Sequence, residues 1–251
     1  MITANRIFEY LDSIAPFETA MSFDNVGILV GSRSAQSERV LLALDATKAV
    51  LEEAKAGNIN IVVTHHPVIF DPLRQLAQDS IPYIAARNDI TVISAHTNLD
   101  IARGGVNELL ARTAGVNAEE YFDEHCALIG SLENEASPFE LAESIKAGMK
   151  LRGLRYTDSG RKLKKVMVSC GAGGSNIFLA AELGADAFIT GEIKHHEIVF
   201  ANDSNIAVFD LGHFQSEDMV IPALAEMLKK AFPDTDFLQA ENDSDKVNYL
   251  S

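Results

Sequence analysis

The stretch INIVVTHHPVIF, residues 59–70, decides the fold that we predict for this chain. It begins as a short run rich in Val and Ile and continues into the polar sequence Thr-His-His. A run this short and this apolar is typical of a β-strand covered on both faces. Helical patterns separate it from similar runs, and this alternation predicts an α/β protein. The similar runs are residues 40–44, 90–95, 165–169, 187–190 and 207–210.

Helix-end signals between the strands support the same fold class. Thr47 is suited to begin a helix, and Gly57 is suited to end it. Ser137 starts a capping box with Pro at the first helical position. The stretch from Asp123 to Pro138 is the best candidate for a boundary between two lobes. We therefore predict a first α/β lobe of residues 1–124 and a second of residues 125–251.

The chain also repeats a pattern of histidines. HHPVIF (residues 65–70) resembles HHEIVF (residues 195–200), and each follows a strand-like run that ends in Thr. Further along each half comes a second apolar run and then His-x-x-x-acid, as HTNLD (residues 96–100) and HFQSE (residues 213–217). Two matches in the same order predict two similar lobes that arose by duplication.

Histidines and carboxylates at the ends of neighbouring parallel strands predict a metal site, because these ends meet at one edge of a sheet. His65 and His66 are adjacent on a strand and point apart, so two ions about 3.5–4 Å apart suit them better than one. A carboxylate must then bridge the ions. Glu217 suits that role, because it would share a helix face with His213, and Asp100 completes the set. The alternative is that the histidines only cap a strand by hydrogen bonding.

Charge and composition exclude some functions. The formal net charge is −15, which repels a phosphate backbone, so general nucleic-acid binding is not expected. No apolar run approaches the roughly 20 residues of a membrane span, and no membrane association or signal peptide is expected. Two widely separated cysteines, Cys126 and Cys170, favour a reducing compartment. We therefore expect a cytoplasmic protein.

Five motifs together resemble the Nif-three-like family, whose members are often called GTP cyclohydrolase I type 2 homologues. The motifs occur in the family's order and extend over nearly the whole chain. They are FDNVGILVG (residues 23–31), THHP (64–67), SAHTNLD (94–100), TGEIKHHE (190–197) and GHFQSE (212–217). The resemblance implies two similar α/β lobes with mixed sheets flanked by helices, and a metal site between them.

The resemblance also implies a ligand set and an assembly. His66 and Asp100 would bind one divalent ion, His65 and His213 would bind the other, and Glu217 would bind both. Three imidazoles and two carboxylates suit Zn, Fe or Mn rather than Ca. The implied assembly is a homohexameric ring, a trimer of dimers, with the metal sites facing its interior.

Three further histidines, His96, His195 and His196, are candidates for contact with substrate or for support of the ligands, with purely structural roles as the alternative. A dinuclear site of this kind favours a metal-dependent hydrolase that acts on a nucleotide-like small molecule, as the family name suggests. The alternative function is that of a non-catalytic metal-binding or metal-delivery protein. An interaction protein ranks last, because no linear binding motif is visible in the sequence.

Overall fold

A computed structural model describes residues 1–248 and 250. The β-strands in chain order are β1 Ile2–Thr3, β2 Gly27–Val30, β3 Gln36–Ser37, β4 Arg39–Ala43, β5 Ile61–Thr64, β6 Thr91–Ser94, β7 Val116–Phe122, β8 Ala127–Ala136, β9 Arg155–Tyr156, β10 Leu163–Ser169, β11 Ala187–Thr190, β12 Ala207–Asp210 and β13 Asp236–Gln239. The α-helices are α1 Ala4–Ile14, α2 Lys48–Ala56, α3 Ile81–Arg87, α4 Thr97–Ile101, α5 Val106–Thr113, α6 Pro138–Gly148, α7 Ile177–Glu182, α8 His195–Asp203, α9 His213–Glu217 and α10 Val220–Ala231.

The chain folds into two compact units. The first unit contains Met1–Ala102 and Val220–Ser244, and the second contains Arg103–Met219 with the described residues from Asp245 onward. The sequence prediction divided the chain at residues 124 and 125, so the observed division is different. It differs because β13, near the C-terminus, pairs in parallel with β4 and completes the sheet of the first unit.

The first unit is built on a five-stranded mixed sheet in the order β13-β4-β5-β6-β2. Strands β4, β5 and β6 are parallel, and β2 runs antiparallel to β6. The central strands are apolar and buried along their whole length, as the sequence predicted for strands covered on both faces. Leu41, Val62 and Val92 from the sheet pack with Val50 and Leu51 of α2 in one core.

The second unit is built on a six-stranded mixed sheet in the order β7-β8-β10-β11-β12-β9. Strands β10, β11 and β12 are parallel, β8 is antiparallel to β10, and β9 is antiparallel to β12. Met167, Phe188 and Val208 from the three parallel strands pack against Ile177 and Ala180 of α7. The α/β class with mixed sheets, predicted from sequence, is confirmed.

Each unit repeats the same core. Three successive parallel strands are separated by helices, an antiparallel strand pairs with the third, and a five-residue helix follows that third strand. That short helix is α4 after β6 in the first unit and α9 after β12 in the second. His96 stands just before α4, and His213 is the first residue of α9. The repeated His-x-x-x-acid motif therefore occupies equivalent places.

The two His-His pairs do not occupy equivalent places. His65 follows directly after the last residue of β5, whereas residues 191–194 separate β11 from His195. His195 and His196 consequently lie in the first turn of α8 and are exposed. HHPVIF and HHEIVF share their two histidines and their final Phe, but one histidine pair follows a strand and the other begins a helix.

The helix ends follow their local sequence signals. Thr47 caps α2 by accepting a hydrogen bond from the amide of Val50, and Gly57 ends the helix. Ser137 and Glu140 form the predicted capping box at the start of α6. Among the described residues, no helix combines the length and the apolar character that crossing a membrane requires.

Candidate metal centre

Three histidines meet at one edge of the sheet in the first unit. His65 and His66 follow β5, and His96 follows β6, which is the parallel neighbour of β5. The carboxyl ends of these strands therefore point the same way, and their loops converge. One ring nitrogen from each histidine lies within 4.8 Å of those of the other two. This cluster of imidazoles could hold a metal ion.

The Nδ1 atom of each imidazole faces an oxygen acceptor. His65 Nδ1 lies 2.9 Å from the carbonyl oxygen of Ala95, and His66 Nδ1 lies 2.9 Å from Oδ1 of Asp45. His96 Nδ1 lies 2.9 Å from Oδ1 of Asp24. A neutral imidazole that donates from Nδ1 keeps the lone pair on Nε2, which is how metal-binding histidines are usually oriented.

Asp100 adds a carboxylate to the three imidazoles. It lies in α4, four residues after His96, and its Oδ1 is 3.3 Å from Nε2 of His65. Both residues are buried, with 4% of Asp100 and 1% of His65 exposed. Placing a carboxylate and an imidazole in a site with so little water is costly unless they share a proton or a cation. The donor set of nitrogen and oxygen fits Zn, Fe or Mn.

Asp24 fixes the orientation of His96. Burial raises the pKa of the Asp24 carboxyl, but hydrogen bonds from the His96 side chain and from the Thr97 side chain and amide outweigh burial and lower the pKa to about 2. The carboxylate is therefore ionised at neutral pH and accepts a hydrogen bond from Nδ1 of His96. Asp24 thereby positions the His96 imidazole.

The second unit contains a histidine and a carboxylate that lie one helical turn apart. His213 and Glu217 lie four residues apart in α9, and His213 Nε2 is 3.1 Å from Oε2 of Glu217. The predicted helical spacing is confirmed. On the other side of the ring, His213 Nδ1 lies 2.8 Å from Oε1 of Glu192, which follows β11. His213 thus repeats the arrangement of the other three imidazoles.

Gly171 makes room for the buried carboxylate of Glu217. The residue follows β10 and has a φ of +52°, a conformation that favours glycine. A Cβ atom added at Gly171 would lie 2.2 Å from Oε1 of Glu217 and 3.3 Å from Nε2 of His213. A glycine is therefore required at this position if the Glu217 carboxylate is to keep its place.

The structure sorts the predicted site residues into three groups. His65, His66 and Asp100 come together in the first unit, and His96 joins them. His213 and Glu217 come together in the second unit. His195 and His196 belong to no group of three or more possible metal ligands among the described residues; His196 Nε2 lies 4.0 Å from Oε1 of the neighbouring Glu197.

The orienting carboxylates Asp45 and Glu192 were not predicted. Asp45 lies two residues after β4, and Glu192 lies two residues after β11. Both therefore share the feature that identified the histidines, a position just past the end of a parallel strand. That position is the signal that the sequence carries for them, but it does not distinguish them from solvated surface carboxylates.

The chain is similar to known proteins over nearly its whole length. A family model described as Duf34/NIF3 (NGG1p interacting factor 3) matches residues 2–245. The "GTP cyclohydrolase 1 type 2 homolog" of Clostridium perfringens is 30% identical, and the alignment covers 98% of this chain and 99% of that protein. The "GTP cyclohydrolase 1 type 2" of Helicobacter pylori is 29% identical, with 91% and 92% covered.

Solved structures are similar over nearly their full length. Staphylococcus aureus protein SA1388 matches with a TM-score of 0.88 and 25% identity, and 99% of each chain is covered. A Bacillus cereus protein related to NIF3 matches with a TM-score of 0.89 and 21% identity, again with 99% of each chain covered. The second likeness concerns the fold alone.

Proposed function

Because the chain belongs to the Duf34/NIF3 family, we propose that it is a metal-dependent hydrolase that binds two divalent ions and acts on a nucleotide-like small molecule. The observation that carries this proposal is the orientation of four imidazole rings, those of His65, His66, His96 and His213. Each has its Nδ1 atom against an oxygen, and the Nε2 atoms of His65 and His213 face the carboxylates of Asp100 and Glu217. Four such arrangements are typical of imidazoles prepared for metal binding.

We propose His65, His66, Asp100, His213 and Glu217 as the ligands. Three imidazoles and two carboxylates suit Zn, Fe or Mn, since Ca prefers oxygen ligands alone. The burial of Asp100 and Glu217 supports the assignment, because a bound cation would offset the cost of burying their charges. Bound divalent ions supply Lewis-acid chemistry and lower the pKa of water.

His96 is the residue that we propose for contact with the substrate. Asp24 accepts a hydrogen bond from Nδ1 of His96, so Nε2 is oriented to accept a hydrogen bond from a substrate at the cluster. His195 and His196 are exposed on α8, so we do not propose them for the reaction. The nucleotide-like substrate is suggested by the printed names of the relatives, which refer to GTP.

The test combines metal analysis with turnover. Protein purified without chelator or affinity metal would be assayed for metal content and for product formation from GTP and a panel of nucleotides. Glu217→Gln should lose metal and activity, whereas Glu226→Gln, the same change on the exposed side of α10, should alter neither. If no nucleotide gives a metal-dependent product, hydrolysis of these substrates is refuted, and retained metal would then favour a metal-binding or metal-delivery protein.

We also propose that the chain assembles into the homohexameric ring, a trimer of dimers, that the family resemblance implies. The apolar side of α10 does not supply the contact surface, because Val220, Ile221, Leu224 and Leu228 are buried. The helix contacts β13 and β4 of its own unit. Association must therefore use other surfaces. Light scattering at micromolar concentration tests the assembly, and a monomer would contradict it.

A further inference from the structure

Two phenylalanines of the first unit are unusually exposed. Phe23 is 65% exposed and Phe70 is 45% exposed. Their ring centroids are 6.3 Å apart, and the rings are tilted by 52°. Exposed aromatic rings that cluster in this way are uncommon on protein surfaces and often mark places where a ligand binds.

This aromatic pair borders the histidine cluster. The centroid of Phe70 is 6.3 Å from that of His96, and the two rings are nearly perpendicular, at 79°. His96 in turn lies 5.1 Å from His65, measured between ring centroids. A flat group placed against Phe70 would therefore be next to His96 and within reach of the proposed metal ligands.

One short segment holds these groups in place. Phe23, Asp24 and Asn25 are consecutive, and Asp24 accepts the hydrogen bond from His96. The side-chain amide of Asn25 donates to the carbonyl oxygen of Ile69 at 2.6 Å, which anchors the chain directly before Phe70. The positions of both phenylalanine rings are thus tied to the position of the His96 imidazole.

We propose that Phe23 and Phe70 form the surface on which a planar aromatic ring of the substrate, such as a purine base, stacks beside the metal centre. The inference rests on the proposed function and adds the groups that recognise the ring. Aromatic side chains suit this task because every base has a π-face, and stacking on one aromatic residue is worth about 1–3 kcal/mol. Loss of one ring should weaken binding about 5- to 150-fold by that estimate.

The experiment measures binding without requiring turnover. Metal-loaded wild type and the variants Phe23→Ala and Phe70→Ala would be titrated with guanosine by calorimetry, with ribose 5-phosphate as a probe that lacks the ring. Phe70→Tyr retains an aromatic ring and should keep guanosine affinity. Phe139→Ala is the matched control, because Phe139 is 59% exposed but lies on α6 in the second unit.

The expected result is weaker guanosine binding in both alanine variants, with unchanged metal content and unchanged ribose 5-phosphate binding. Equal guanosine affinity in wild type and both alanine variants would overturn the inference, as would no guanosine binding by wild type at millimolar concentration. A change in sedimentation without a change in guanosine affinity would overturn it in favour of a protein-contact surface. If guanosine binding depends on Phe23 and Phe70 but no nucleotide is turned over, the stacking surface is supported and the proposed hydrolysis of these nucleotides is refuted.

Discussion

Replacing Gly171 by alanine tests the packing of the metal-binding carboxylate. The added Cβ would lie 2.2 Å from Oε1 of Glu217, whereas ordinary contacts begin near 3.4 Å. Either the carboxylate oxygen or the Gly171 backbone must therefore move by about 1.2 Å, the difference between 3.4 and 2.2 Å. Metal sites tolerate errors of about 0.2 Å in ligand distances, so a shift of this size should disrupt Glu217 as a ligand.

The expected loss is at least tenfold in metal affinity, since even groups that only support a ligand contribute about 10- to 100-fold. The substitution also places a Cβ on a left-handed backbone, which costs roughly 1–2 kcal/mol of folding free energy. Gly184→Ala separates the two effects. Gly184 has a φ of +67°, and an added Cβ there meets nothing within 4 Å.

The assay is a Zn²⁺ titration against a competing chelator, together with urea unfolding of the metal-free proteins. Both variants should lose similar stability from the backbone effect, and only Gly171→Ala should lose metal affinity beyond that. If Gly171→Ala binds Zn²⁺ as tightly as Gly184→Ala does, the clash with Glu217 does not matter, and Glu217 is not a ligand of the kind proposed.

Three further predictions concern pH, the ligand set and a helix cap. The pKa of Asp24 is lowered from 3.8 to about 2, so its ionised carboxylate stabilises the folded state fully above pH 3.8, and this stabilisation is lost as the pH falls towards 2. In urea unfolding of the metal-free proteins, the free energy of unfolding of wild type should fall by about 2 kcal/mol from this carboxylate over that pH range, and the Asp24→Asn variant should not show that fall. His96→Ala should keep its metal and lose activity, whereas His213→Ala should lose one ion, and equal loss by elemental analysis would contradict this assignment. Ser137→Ala should cost about 1 kcal/mol in urea unfolding because it removes the cap bond to α6, and Ser80→Ala should cost less, because Ser80 makes no side-chain cap bond at α3.

The buried parallel strands could be predicted from sequence because burial on both faces leaves a continuous apolar run. The structure places β11 at Ala187–Thr190 and β12 at Ala207–Asp210, the residues predicted for them. Strands with a polar face carried no such signal. In β8 the first four residues are buried and the rest include exposed glutamates, and in β13 only Phe237 is buried.

The division into units depends on contacts that are remote in sequence. The pairing of β13 with β4 joins residues nearly 200 positions apart, and nothing local in Asp236–Gln239 identifies its partner. Residues 103–124, which the prediction placed in the first lobe, belong to the second unit, where β7 pairs with β8. A boundary inferred from local composition could not take account of either strand pairing.

The histidines and acids of the His-x-x-x-acid motifs were predictable because their residue types are unusual at strand ends. Their supports were harder to identify. A lone acid such as Asp45 or Glu192 resembles any solvated surface carboxylate until the histidine beside it is placed. The role of Gly171 depends on a distance to Glu217, a residue remote from it in the sequence. Sequence periodicity carries no information about such an approach.

The repeated core shows how equivalent strand ends have taken different tasks. The residues after β5 are His65 and His66, which offer ring nitrogens, whereas the residues after β11 are Gly191 and Glu192, and Glu192 orients a histidine. A histidine pair does recur in the second half, but four residues later in α8, where its side chains are exposed. One copy of this strand end thus carries candidate ligands and the other carries a support for one. For this reason, the similarity between the two histidine motifs is not enough to assign the same role to both.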